Sequence, residues 1–131
     1  MGQPIIYTQK QQIIKTNKMI TYNWIIEALD VVPKEGELVN VVSVVHWRRR
    51  GTEVVDNKTY TAEVYSTYSC PSPSPTDFTA YPDLTQAQVE GWLEAGLDVP
   101  SIDANIATQI EQQINPPVVT PPLPWNQTTN I

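Results

Sequence analysis

The chain holds one cysteine, Cys70, and one histidine, His46. A single cysteine excludes an intrachain disulfide and a cysteine-based metal site, and a single histidine excludes a zinc cluster built on histidine pairs. Long apolar runs are also missing. The pairs Ile5-Ile6 and Ile13-Ile14 stand isolated, and nothing approaches the ~18 consecutive apolar residues of a membrane span or the core of a signal peptide. Charged residues make up only 17% of the chain against 40% hydrophobic ones, below the roughly 25% charge of an ordinary soluble domain. A surface so light in charge points to cover by partners. No phosphate-binding glycine loop, nucleophile elbow, dinucleotide fingerprint or calcium-loop pattern occurs, so the expectation is a protein that is not an enzyme and uses no cofactor, no metal and no catalytic residue.

Charge of one sign is scarce as well. Residues 1–19 carry Lys10, Lys15 and Lys18 and no acid, so the net −6 of the whole chain leaves −9 on the remainder. An acidic body lacks the basic face that phosphate contacts require, which excludes nucleic acid as the expected partner. The run Arg48 to Arg50 reads as solvated turn charge, and Glu27, Asp30, Glu35 and Glu37 as a solvated acidic turn rather than an acid–base pair. A Cys70–His46 nucleophilic pair is formally possible but has no helix N-terminus or fixed base beside it.

What is present is pattern. At 131 residues the chain suits one core with appendages. Residues 1–19 read as an extended or loosely helical arm, with Met19 placed directly before the regular pattern begins. "TYNWIIEA" alternates Tyr22, Trp24 and Ile26 against Asn23 and Glu27, the period of a half-buried strand. Pro33 to Gly36 reads as a turn. "ELVNVVSVVHWRRR" follows as a central strand, with Val39, Val41, Val45 and Trp47 on one face and Val42 and Val44 on the other. Gly51 and Asp56-Asn57 supply the next reversal. "TYTAEVYSTY" is a third strand, Tyr60, Ala62 and Val64 alternating with Thr61, Glu63 and Tyr65.

The four prolines between Pro71 and Pro82 break regular structure and read as an ordered surface connection. Thr85 then opens a helix as its cap, with Gln88 completing a capping box and Leu84 and Val89 a hydrophobic staple. Val89, Trp92, Leu93 and Leu97 form its apolar stripe. Ser101 or Asp103 caps a second helix whose Ile102, Ile106, Ile110 and Ile114 recur every fourth residue. Asn115-Pro116-Pro117 stops it. The expected fold is therefore α+β: a three-stranded antiparallel sheet with two helices on one face over residues 20–115, an N-terminal arm over 1–19, and a proline-rich tail over 116–131.

The tail has five prolines, one tryptophan and no charged side chain. Trp24, Trp47 and Trp92 fall on apolar faces and read as core. Trp125 follows "PPLP" beyond any regular element. A proline-rich segment is already ordered in the polyproline conformation, so a groove takes it up at little entropic cost. Pro121, Pro122, Leu123, Pro124 and Trp125, together with Ile5, Ile6, Tyr7, Ile13 and Ile14 of the arm, are the candidate partner-binding residues; folding of the tail back over its own sheet is the competing possibility.

The ordered set "TYNWIIEALD", "VVSVVHWR", "FTAYPDLTQAQVEGWLEAG" and "NPPVVTPPLPW" resembles a group of small proteins encoded by tailed bacteriophages, cyanophages included, many without an assigned function. The single cysteine sets the expectation of synthesis in the host cytoplasm, and the resemblance, which runs from Thr21 to Trp125, implies a phage origin and a place in the virion. Joined with the two extensions and the sparse charge, it sets the expectation of a virion structural protein: an accessory capsid or cement component that clamps neighbouring subunits through its termini. The partners expected are other virion proteins, the major capsid protein first, and a homodimer or higher homo-oligomer through an unpaired sheet edge, with no nucleic acid and no membrane. A small tail or baseplate component, and a host-factor-binding module outside the virion, are the alternatives.

Overall fold

Strand-length alternation separated by turn formers produces three antiparallel strands, β1 (Thr21–Glu35), β2 (Leu38–Val55) and β3 (Lys58–Ser69), laid side by side in that order. A computed structural model describes residues 19–126. Asp56 and Asn57, with φ of 52° and 67°, make the two-residue β2–β3 reversal. Short polar side chains tolerate this left-handed backbone, and its twist matches that of the strands it joins. Gly36, at φ 61°, opens the β1–β2 turn.

The first turn therefore lies later than the sequence pattern placed it, because β1 continues through Pro33 to Glu35. Proline is tolerated on an edge strand, and the pairing steps over it: Val32 faces Val41 and Lys34 faces Val39. Asn40, between those β2 residues, has φ 54°. Gly51 is likewise no turn residue. It runs mid-strand, between Tyr22 of β1 and Ala62 of β3.

Two register shifts divide the β1–β2 ladder. Glu27 is the extra residue between the Ile26–Trp47 and Ala28–His46 pairs, and Ser43 the extra one between Asp30–Val44 and Val31–Val42. A one-residue offset swaps the faces of every residue beyond it. Val42 therefore joins Val45 and Trp47 in the core, which corrects the face assigned to it from simple alternation. Ser43 holds the irregular point: its Oγ donates to the Asp30 carbonyl at 3.2 Å and its carbonyl accepts from Cys70 N at 2.9 Å.

Both helices, α1 (Gln86–Gly96) and α2 (Val99–Ile114), pack on one face of the sheet. Beneath α1 the core is Val89 and Leu93 against Trp24, Val42, Val45 and Trp47. Trp24 and Trp47 meet edge to face, 5.4 Å between ring centroids, and Trp24 Nε1 donates to Glu94 Oε2 at 2.8 Å, tying β1 to α1. Under α2, Ile106 and Ile110 bury completely against Ala62, with Ile102 and Ile114 at the margins. That is the drift a four-residue repeat shows on a 3.6-residue helix. Each fully buried side chain of this kind contributes about 1.5–3 kcal/mol.

The caps differ in part from the sequence expectation. Thr85 Oγ1 accepts from Gln88 N at 3.1 Å, but the Gln88 amide turns away and donates to Thr79 Oγ1 at 2.9 Å, so no reciprocal box closes. At α2 the cap is Asp98, accepting from Ser101 N at 3.2 Å, and neither Ser101 nor Asp103 has that role. We expect Thr85→Ala to lower stability by about 1 kcal/mol in chemical denaturation, with Thr85→Ser restoring most of it. Equal midpoints for Thr85→Ala and wild type would show that the Thr85 cap adds nothing to stability.

Candidate functional site

Beyond α2 the chain has prolines at 116, 117, 121, 122 and 124, which forbid helix continuation and remove backbone donors. Every residue from Asn115 to Trp125 is exposed. Val118 is 82% exposed and Trp125 75%. The sequence-predicted set Pro121 to Trp125 is thus held out in solvent and does not fold over its own sheet. The other predicted contacts, Ile5, Ile6, Tyr7, Ile13 and Ile14, lie outside the described residues.

A cavity of about 410 Å³ opens at the opposite end of the fold, between the start of β2, the end of β3, the proline-rich connection and α1. Tyr68, Phe78 and Trp92 give it aromatic walls; Pro71 and Pro73 close one side, and Gln88 and Asp77 offer polar groups. Its architecture follows from local chemistry. The Ser43–Cys70 backbone bond carries β3 into the connection, Ser74 Oγ donates to Asp77 Oδ2 at 3.0 Å to fix the turn, and the Gln88–Thr79 bond pins that turn to α1. Gly96 allows the Tyr68 ring to lie against α1, since a Cβ there would stand 2.5 Å from it. Few convergent polar groups in an apolar concavity are the usual make-up of a binding site. The sequence reading missed this site; Phe78, the only phenylalanine, set among four prolines, is the signal that marked it.

Cys70 lines the cavity, and burial pushes its thiol up, which keeps it protonated and a poor nucleophile. His46 is not brought to it. Its ring points to the helix-free face of the sheet, where Nε2 and Asp30 Oδ2 share a 2.8 Å hydrogen bond. On that face Arg48 bridges Glu27 at 2.8 Å and Glu63 at 3.1 Å, Arg50 also donates to Glu63, and the Arg48 guanidinium lies over the Tyr65 ring at 4.9 Å. The Arg50 hydrogen bond, opposed by burial and helped by the Arg50 and Arg48 charges, holds the Glu63 carboxyl below the usual range. A depressed carboxylate contributes stability above its unfolded-state value, and the contribution is lost as pH falls through the folded one.

Arg48 to Arg50 are therefore no solvated turn. They sit mid-β2, and Arg49 points inward, 9% exposed. Its Nε and second terminal nitrogen donate to the two Asp103 oxygens at 2.9 and 3.2 Å, and its guanidinium lies 4.6 Å from the Trp24 ring. Among the described residues no group of three or more His, Cys, Asp or Glu side chains is placed to hold a metal ion. No described helix is long and apolar enough to cross a membrane.

Residues 19–125 match the family described as Domain of unknown function (DUF7936). The chain belongs to that family. The matched region takes in the sheet, both helices, the cavity and the tail as far as Trp125. Neither the curated proteins nor the solved structures contain a match to the chain.

Proposed function

We propose that this protein is a virion structural component of a tailed bacteriophage, acting as an accessory capsid or cement protein whose terminal extensions engage neighbouring virion subunits, the major capsid protein among them. The observation that carries the reading is the tail. Residues 116–125 expose two valines, a leucine and a tryptophan on a proline-stiffened, uncharged segment anchored to a folded body. Large apolar side chains held in water are favourable only when another surface takes them up. The resemblance of the strand, helix and tail motifs to phage proteins supplies the setting.

Quantitative mass spectrometry of purified particles of the encoding phage tests the assignment. On the order of hundreds of copies per particle, the multiplicity of a closed symmetric shell, is the expected result. A few to a few tens of copies would move the protein to the tail or baseplate, and absence would leave a host-factor-binding module outside the virion, with the acidic body as its surface. Deleting residues 116–131 is expected to leave the domain folded and to lower occupancy in the particle. Unchanged occupancy would remove the tail from the function.

A further inference from the structure

We propose that the cavity beside Trp92 receives the Pro121 to Trp125 segment of a second copy, so that the chain associates with itself tail to cavity. This rests on the reading of the protein as an assembly component and names the holder of its tail. The two surfaces are chemically matched. The cavity offers three aromatic walls, Tyr68, Phe78 and Trp92, and a glutamine; the segment offers three prolines, a leucine and a tryptophan, without charge. Aromatic-lined grooves take proline-rich segments in this way, because the bound conformation is the one such segments already prefer. A volume of about 410 Å³ falls in the range of sites that enclose a small ligand.

The placement of the two parts favours exchange between copies. Gln113, near the end of α2, donates to the Thr61 carbonyl at 2.8 Å. Tyr68 lines the cavity further along the same strand, roughly 23 Å away at the rise of an extended chain. The tail thus leaves the fold at the end remote from the cavity, and no residue of 115–125 lines it. Trp125 stays 75% exposed on its own copy. A tail donated to the next copy and a cavity filled by the previous one make a heterologous contact, which closes into a ring or propagates along a surface.

The test uses full-length chains in sedimentation equilibrium. Wild type is expected to associate with rising concentration, and Trp125→Ala to weaken that association by roughly 30-fold or more, the loss typical of a central interface tryptophan. Ala95→Arg, at an exposed position on the cavity wall, is expected to do the same. At concentrations where wild type associates, each variant alone is then monomeric, yet mixing them should give a one-to-one pair, since one retains the cavity and the other the tail. Circular dichroism and fluorescence of each variant confirm the fold. A wild-type monomer at all concentrations, or association that survives both substitutions, would overturn the proposal. So would the absence of a mixed pair. A chain that is monomeric in solution but present at full copy number in particles would overturn self-association alone and leave the assembly function standing.

Discussion

Arg49→Ala is expected to lower the free energy of unfolding by about 3–5 kcal/mol, the range for removing one partner of a buried ion pair. Arg49 is 9% exposed and lies between the Trp24 ring, at 4.6 Å, and the Tyr22 ring, at 5.5 Å. Truncation leaves the Asp103 carboxylate without its fork of two donors and a void between two rings. Arg49→Lys should recover little, because an ammonium cannot make the paired bonds to both oxygens at 2.9 and 3.2 Å. The double variant Arg49→Met with Asp103→Leu removes charge from both sides and fills the space, so it should lose far less than Arg49→Ala. Denaturant titration with a double-mutant cycle measures this. A loss below about 1 kcal/mol for Arg49→Ala would mean that the pair is hydrated and worth no more than a surface bridge. Total stabilities of about 5–15 kcal/mol leave little margin for such a change.

Gly51→Val is expected to destabilise the fold by about 3 kcal/mol or more, at the upper end of overpacking effects. A Cβ on Gly51 would stand 2.5 Å from Ile106 Cγ2, 3.2 Å from Ile20 Cγ2 and 3.3 Å from Tyr22 Cε1. Ile106 is fully buried and cannot swing into solvent. Two terms oppose the clash: a substituted glycine loses less entropy on folding, worth about 0.4–1 kcal/mol, and valine favours strands by up to about 1 kcal/mol. Neither offsets a contact inside van der Waals distance. Shortening the opposing side chain tests the cause directly. Gly51→Ala combined with Ile106→Ala, which removes the clashing Cγ2, should be more stable than the sum of the single effects predicts, and strict additivity would show that the clash is not the origin of the loss.

Much of the architecture was legible because it is written in local period. Alternation around Trp24, Trp47 and Ala62, the four-residue isoleucine repeat and Thr85 before an apolar stripe specify three strands and two helices without reference to distant residues. The exposure of Trp125 was only half legible: no local core stands beside it in the sequence, but folding back over the sheet stayed open, and the fold places it exposed in a single 3₁₀ turn, Pro124–Asn126. Most of the cavity was not, because its walls come from β2, β3, the proline-rich connection and α1, and only folding brings them together.

The same division holds for individual residues. The sequence alone determined that Arg48, Arg49 and Arg50 are consecutive cations; tertiary pairing decided that the middle one faces inward, toward an aspartate 54 residues away. It placed a glycine at position 51, while the fold decided that the glycine makes room for Ile106 instead of turning the chain. Simple alternation put Val42 on the face opposite Val45 and Trp47, and the extra residue at Ser43 brought it to theirs. Period reports which residues share a face only while the register runs unbroken. A one-residue bulge, a helix laid across a strand or a buried pair distant in sequence changes the neighbours of a side chain without changing its local pattern.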